Sequence, residues 1–174
     1  MLYLSFMRHA KSDWCGPSAN DIIRPISKKG IKKTKAVSKY LKNEKMEFDS
    51  IFCSPSLRTK QTLSCFLQHS MHKDVEIVED QNIYEGSEEN FLLRISKIKK
   101  YKNVLVITHE PQISFFVNYF LSDTKCFKKV SDLRFVTSSI TTIGFDIKSW
   151  NDISNINAKF IRFIDPNLLL NRIT

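Results

Sequence analysis

The sequence contains no hydrophobic segment long enough to cross a membrane. None of the apolar runs in its 174 residues approaches the ~20 residues that a transmembrane helix requires. The first residues also lack the basic region, long apolar core and cleavage site that together define a signal peptide. We therefore interpret Met1 to Met7 as a first strand and expect a cytoplasmic protein with no membrane partner.

Cysteine pairs with the spacing of a redox or zinc site are also absent. None of the four cysteines lies in a CxxC motif, which excludes a zinc ribbon and a thioredoxin-type pair; they are Cys15, Cys53, Cys65 and Cys126. Without a secretion signal, we expect all four to be free thiols. His69 and His72 are close enough in sequence to share a metal ion, but no third ligand accompanies them, so we expect no metal site.

Repeats, linkers and low-complexity segments are missing as well, which predicts a single domain over residues 1–174. Hydrophobic residues make up 42% of the chain, enough for an ordinary globular core. Lysine and arginine number 27 against 18 aspartates and glutamates, a net charge of +9 that favours acidic or phosphorylated partners. RNP-type aromatic motifs and zinc fingers are missing, so we do not expect nucleic-acid binding. Lysines between Lys28 and Lys45 surround a helical apolar stripe and are interpreted as a solvated face.

Strand-like and helix-like segments alternate along the chain. Ser27 and Ser87 are predicted N-caps, and Pro111 is suited to open a further helix. The predicted strands cover residues 2–7, 49–53, 75–78, 103–108, 138–147 and 157–164, the last two as a hairpin around 148–154; the predicted helices cover 28–43, 57–68, 88–101 and 113–121. This order predicts an α/β fold, a three-layer α/β/α sandwich around a mainly parallel central sheet.

Arginine and histidine recur at the ends of the predicted strands. Arg8 and His9 follow the first strand, Arg58 lies one turn beyond the second, and His109 follows the strand at residues 103–108. Ligands of such sheets bind beyond the carboxyl ends of the strands, so we expect these four side chains to converge on one pocket.

Two arginines and two histidines suit phosphoryl transfer. Arginine offers a planar fork of donors that matches phosphate oxygens and remains charged. A neutral histidine nitrogen can attack phosphorus and form a covalent phosphohistidine. Such a two-step hydrolysis needs no metal, but it needs a proton donor for the leaving group and a base for water. The two arginines are expected to lower the pKa of the nucleophilic histidine.

Five short motifs in this order resemble the histidine phosphatase superfamily, formerly the phosphoglycerate mutase-like group, and most of all its SixA-type phosphohistidine phosphatases. The resemblance covers about residues 2 to 165. The residues that carry it are Arg8-His9-Ala10; Asp21 with Arg24-Pro25-Ile26-Ser27 and Gly30; Ser54-Pro55 with Arg58, Gln61 and Thr62; Tyr84; and His109 with Pro111. The resemblance implies a phosphoglycerate mutase-like fold, made compact by the absence of a large helical cap, since only about 50 residues separate Arg58 from His109.

The resemblance also implies roles for individual residues. His9 matches the phosphate-accepting histidine of the family, and Arg8, Arg58 and His109 match the rest of its phosphate pocket. Ser12 matches a further phosphate-binding position, whereas Cys15 stands where other branches carry an asparagine. The family uses no metal and no organic cofactor. We therefore predict catalysis by His9, Arg8, Arg58 and His109 without a cofactor.

Two acidic residues are candidates for the proton donor. Glu110 directly follows His109, and Glu85 lies near the position at which the mutase branch carries its acid. As alternatives, Glu110 is a helix-start acid and Glu85 a solvated loop residue.

The predicted function is a metal-independent phosphatase acting through a phosphohistidine intermediate. The predicted substrate is phosphohistidine on a partner protein, because an uncapped site can admit a protein surface. The alternative is a phosphatase of small phosphorylated metabolites or nucleotides in the same fold.

Overall fold

A six-stranded sheet forms the centre of this computed structural model, which describes residues 1–14, 21–70, 75–122, 124, 130 and 132–171. The strands are β1 Leu2–Arg8, β2 Ser50–Cys53, β3 Glu76–Glu79, β4 Asn103–Thr108, β5 Ile140–Phe145 and β6 Ala158–Ile164. The helices are α1 Lys28–Asn43, α2 Leu57–Leu67, α3 Asn82–Glu85, α4 Glu88–Ser96, α5 Gln112–Leu121 and α6 Pro166–Asn171, with 3-10 turns at Asp21–Ile23 and Trp150–Asp152. The predictions for Cys15, His72 and Cys126 concern residues outside this described part.

The sheet is mixed and mainly parallel, as predicted. Its strand order is β3-β2-β4-β1-β5-β6, and the first four of these strands run parallel to one another. Only β5 runs antiparallel to both of its neighbours, and it forms the predicted hairpin with β6. The carboxyl ends of β2, β4 and β1 therefore lie side by side at one edge of the sheet.

Both faces of the sheet are covered, which makes the three layers. Alternating side chains of β4 point to opposite faces, because successive residues of a strand do so. Val104 and Val106 pack in a core with α4 and α5, whereas Leu105 and Ile107 pack in a second core with α1 and α2. The strand is completely buried from Val104 to Ile107, which explains its continuous apolar sequence.

The predicted helix starts at Ser27 and Ser87 are confirmed. The Ser27 side chain accepts a hydrogen bond from the backbone N–H of Gly30, and Ser87 accepts one from Asn90. Each cap satisfies a donor that has no partner within the helix.

Several elements differ from the sequence prediction. Helix α4 ends at Ser96 rather than near Tyr101, although the apolar spacing continues and Ile98 is buried. The Tyr101 carbonyl accepts a hydrogen bond from the buried Trp150 indole at 2.7 Å, so this backbone serves the turn into β4. The β5 strand covers Ile140–Phe145 rather than 138–147, and helices α3 and α6 were not predicted.

Candidate active site

A pocket of about 600 Å³ opens to solvent at the carboxyl edge of the sheet. All four residues singled out at the strand ends line it: Arg8, His9, Arg58 and His109. The His9 and His109 rings lie 6.5 Å apart between centroids. The four side chains therefore converge on one open pocket, as the positions of the strand ends predict.

Backbone pairing between adjacent strands brings these residues together. The His9 N–H donates to the Thr108 carbonyl at 2.8 Å, which places His9 beside His109. The Ala10 N–H donates to Thr62 Oγ1 at 2.9 Å, and this hydroxyl donates to the Arg58 carbonyl at 2.5 Å. Thr62 thus fixes the loop after β1 against the helix that carries Arg58, which gives a physical reason for the threonine in that motif.

The His9 imidazole is held in one orientation and one tautomer. Its Nδ1 lies 2.7 Å from the Ala10 carbonyl oxygen. Because a carbonyl oxygen only accepts, Nδ1 carries the hydrogen and the lone pair of Nε2 remains free. A free Nε2 is what a nucleophile toward phosphorus requires.

Both histidines are kept neutral by their surroundings. Burial lowers the pKa of His9 to about 4, and the charges of Arg58 and Arg8 contribute in the same direction. Burial and Arg58 also lower the pKa of His109 to about 4. The direction for His9 agrees with the sequence argument, but burial rather than the arginines is its largest cause, and burial could not be read from neighbouring residue types.

Several buried donors in the pocket lack an acceptor among the described residues. They are the Nε groups of Arg8, Arg24 and Arg58 and the hydroxyl of Ser12. Arg58 and Ser12 are almost completely buried, at 4% and 6% exposure. Buried donors are nearly always paired in folded proteins, so these groups indicate a missing acceptor. A phosphate, which offers only acceptor oxygens, satisfies this requirement.

Asp21 is a pocket residue to which the sequence analysis gave no role. Its Oδ2 lies 2.8 Å from Arg58 Nη2, its carbonyl accepts from Arg58 Nη1 at 2.7 Å, and its other carboxylate oxygen pairs with Arg24. Burial alone would raise the pKa of Asp21, but the charges of Arg58 and Arg24 hold this pKa below its ordinary value. In the sequence, the feature that could have indicated a role for Asp21 is its position at the start of the motif that contains Arg24.

Further pocket residues fix its shape. Ser12 lines the pocket as predicted, and it bridges to Ile26 of the Arg24-Pro25 motif. Trp14 lines the rim with its side chain 76% exposed, and the Arg24 guanidinium lies 3.8 Å above its ring. The Arg8 guanidinium is held in place by Phe135, a residue outside the described lining, because Arg8 Nη1 donates to the Phe135 carbonyl at 2.7 Å.

Of the two proton-donor candidates, the pocket contains one. Glu110 lines the pocket, but its Oε2 accepts from the Ser114 hydroxyl at 2.7 Å and from the Ser114 N–H at 3.3 Å at the start of α5. Glu85 is exposed at the end of α3 and does not belong to the described lining. Glu110 therefore lies in the pocket lining with a helix-capping contact, whereas Glu85 is not among the described lining residues.

Clusters of metal ligands and membrane-spanning helices are both absent from the described residues. Within this part of the chain, no three side chains of histidine, cysteine, aspartate or glutamate cluster as metal ligands do. His69 instead makes a contact from Nδ1 to the Cys65 carbonyl at 3.1 Å. None of the helices in the described ranges is long and apolar enough to cross a membrane.

Solved structures share this fold over nearly the whole chain. The SixA protein of Agrobacterium tumefaciens superposes with a TM-score of 0.79 at 18% identity, covering 95% of this chain and 98% of that one. The protein histidine phosphatase SixA complexed with tungstate gives 0.79 at 21% identity, with 97% and 99% covered. The alpha-ribazole phosphatase of Shigella flexneri gives 0.68 at 14% identity, with 95% and 97% covered.

The family assignment comes from the sequence itself. No curated protein matches this chain. The model of the histidine phosphatase superfamily (branch 1) matches residues 4–91, half of the chain. That region holds Arg8, His9, Asp21 and Arg58, and the fold adds His109 from β4. The chain therefore belongs to branch 1 of the histidine phosphatase superfamily.

Proposed function

We propose that this phosphatase removes the phosphoryl group from phosphohistidine on a partner protein, with His9 as the nucleophile. The observation that carries the proposal is the state of His9. Its Nδ1 is committed to the Ala10 carbonyl, its pKa is lowered to about 4, and the buried Nε groups of Arg8 and Arg58 beside it have no acceptor among the described residues. A neutral nucleophile next to unsatisfied donors is suited to attack a bound phosphoryl group.

The reaction takes two displacements at phosphorus. In the first, His9 Nε2 bonds to phosphorus while the substrate P–N bond breaks and its electron pair returns to the substrate imidazole. In the second, water bonds to phosphorus, the bond to His9 Nε2 breaks with its electron pair returning to Nε2, and both hydrogens of the water end on the phosphate product. Nδ1 of His9 keeps its hydrogen throughout, and the Ala10 carbonyl stabilises the positive charge that the phosphorylated ring carries.

The acids of the pocket favour a P–N bond over an ester as the substrate. Asp21 has a lowered pKa and is held by two arginines, while Glu110 accepts hydrogen bonds from Ser114. The lowered pKa of Asp21 keeps its carboxylate ionised near neutral pH, and the Glu110 carboxylate is engaged by Ser114. A phosphohistidine already protonated on its other ring nitrogen needs no such donor, because its imidazole leaves as a neutral molecule.

The open pocket and the fold also support a protein substrate. The described residues of the short chain between Arg58 and His109 form the rest of α2, then β3, α3, α4 and β4, and no further domain over the pocket. The solved structures of similar fold include a protein histidine phosphatase.

The alternative substrate is a small phosphorylated metabolite or nucleotide. A volume of about 600 Å³ lies within the range of pockets that enclose small ligands. The alpha-ribazole phosphatase, which has the same fold, is named for a small substrate.

A substrate panel tests the proposal. Phosphate release from a phosphohistidine-containing protein is compared with release from nucleotides and sugar phosphates, all in the presence of EDTA. We expect the highest kcat/KM for phosphohistidine, undiminished by the chelator, since arginines supply the charge stabilisation. A higher kcat/KM for any metabolite would replace the protein substrate by the alternative, and activity that returns only with a divalent ion would contradict the metal-free mechanism.

The pH dependence of kcat/KM should reveal the lowered histidine pKa values. Because kcat/KM reports the free enzyme, its acid limb should fall near pH 4 instead of near 6.5, the ordinary value for histidine. His9 and His109 titrate together, so the limb belongs to the pair. The measurement is initial rate from pH 3.5 to 8, corrected for the ionisation of the substrate. An acid limb centred near 6.5 would show that His9 is not shielded from water.

Replacing Asp21 by asparagine should strengthen the binding of phosphate to the pocket. The change removes a negative charge beside Arg58 while keeping the carbonyl that holds Arg58 Nη1. Since a half-exposed ion pair is worth at most about 1 kcal/mol, we expect orthophosphate to inhibit up to about fivefold more tightly. Asp146→Asn, which alters an exposed pair with Lys159, is the control for the loss of a charge. Weaker inhibition in Asp21→Asn would mean that the carboxylate is needed to position Arg58 for phosphate.

A further inference from the structure

The pocket carries more positive charge than one phosphoryl group can neutralise. Its lining includes six cationic side chains and two acidic ones, a net charge of +4 when both histidines are neutral; they are Arg8, Lys11, Arg24, Lys29, Lys33 and Arg58 against Asp21 and Glu110. A bound phosphoryl group carries close to two negative charges. Positive charge therefore remains, and it lies on the lysines.

The three lysines are brought together by the start of α1. The Lys11 carbonyl accepts from both the N–H and the hydroxyl of Ser27, at 2.8 and 2.9 Å. A Cβ on Gly30 would lie 2.5 Å from the same carbonyl oxygen, so only glycine allows this approach. Lys29 and Lys33, one helical turn apart, consequently lie on the same face of α1 beside Lys11. The serine and glycine of the second motif thus assemble this lysine cluster, defined as Lys11, Lys29 and Lys33.

Lys33 is unusual for a lysine on a surface helix. It is 8% exposed, and its side-chain ammonium group makes no hydrogen bond or ion pair with any described residue. Burial lowers its pKa, as do the charges of Lys29 and Lys11, while Asp165 acts in the opposite direction without forming an ion pair. Residues 15–20, which precede the pocket residue Asp21, contain no charged side chain and cannot neutralise it. The expectation that these lysines form only a solvated face is therefore wrong for Lys33.

We propose that the lysine cluster is a second anion subsite, which holds a carboxylate of the substrate while its phosphoryl group lies against His9. This inference rests on the proposed function, in which the carboxylate is an acidic side chain flanking phosphohistidine. Lysines are suited to this role, because each supplies a point charge on a flexible stem to a group whose position varies between substrates. The subsite selects phosphohistidine in an acidic sequence over phosphohistidine elsewhere.

The experiment compares two peptides, one with aspartates flanking phosphohistidine and one with asparagines in their place. A charged hydrogen bond from a buried group is worth enough for about a tenfold preference in kcat/KM for the acidic peptide at low salt. Lys33→Met removes the charge but keeps an apolar side chain of similar length in the buried position. Lys29→Gln removes a charge from an exposed residue, where a folding defect is not expected. An effect shared by both variants is therefore due to the lost charge. Both should reduce the preference to about threefold or less, while Lys35→Gln, with the same charge change elsewhere on α1, should retain it.

A second pair of substrates separates this inference from the proposed function. 3-Phosphoglycerate and glycerol 3-phosphate differ by one carboxylate and contain no phosphohistidine. If neither peptide is hydrolysed, the proposed function fails. If 3-phosphoglycerate is then preferred over glycerol 3-phosphate and the preference depends on Lys29 and Lys33, the subsite is supported with a small substrate. Equal kcat/KM within both pairs, or a preference that survives Lys29→Gln and Lys33→Met, would overturn the subsite.

Discussion

Replacing His9 by alanine is expected to abolish the covalent intermediate and to lower kcat on the order of 10⁴-fold or more, as for other enzymes that lose their nucleophile. The alanine variant retains Arg8 and Arg58, whose guanidinium groups are held by the Phe135 carbonyl and by Asp21 and not by His9. Binding of orthophosphate should therefore persist while turnover is lost. This separation of binding from chemistry distinguishes a nucleophile from a residue that only shapes the pocket.

The intermediate itself can be trapped. A phosphorylated histidine is labile in acid and stable in base, so the reaction with labelled substrate is quenched rapidly without acid and the peptide containing residues 8–11 is analysed by mass spectrometry. Label is expected on His9 of the unmodified enzyme. His69→Ala is the matched control, since His69 lies outside the described pocket lining and its ring contacts the Cys65 carbonyl. Normal turnover by His9→Ala, or label on another residue, would assign the nucleophile elsewhere.

The positions of the catalytic candidates could be predicted because they depend on strand ends. The apolar run before Arg8 and the one before His109 each stop where the chain leaves the sheet, and parallel strands bring such ends to one edge. The helix starts could be predicted for a similar reason. Ser27 and Ser87 cap their helices by accepting hydrogen bonds from residues only three positions further along the chain. In these cases the physical cause lies within a few residues of its effect.

The role of Asp21 could not be predicted, because it depends on a contact between distant residues. Asp21 and Arg58 are 37 residues apart in sequence, and they meet only after α1 and β2 have folded between them. The same reason applies to Glu85, which lies near the expected position in sequence but outside the pocket. The burial that dominates the pKa of His9 is also a product of the whole fold.

Arg58 is paired with the Asp21 carboxylate and faces the pocket in which we expect phosphate to bind. We expect its removal to lower activity more than any other change except the loss of His9. Arg58→Ala removes charge-assisted donors from a buried position, and we expect kcat/KM to fall about 10²- to 10³-fold, as when an oxyanion donor is deleted. Arg58→Lys keeps the charge but loses the fork that now spans the carbonyl and carboxylate of Asp21. It should lie between the alanine variant and the unmodified enzyme.

The carboxylate of Asp21 allows this prediction to be tested beyond a simple loss. In Arg58→Ala, Asp21 loses one ionic partner and keeps Arg24, so its charge repels a phosphate that would enter the pocket. Adding Asp21→Asn removes that repulsion, and the double variant should regain part of the lost affinity for orthophosphate. Arg162→Ala, an arginine on β6 outside the pocket lining, is the control. If the double variant binds phosphate no better than Arg58→Ala, Asp21 does not act through charge, and the pairing with Arg58 serves the fold of the loop alone.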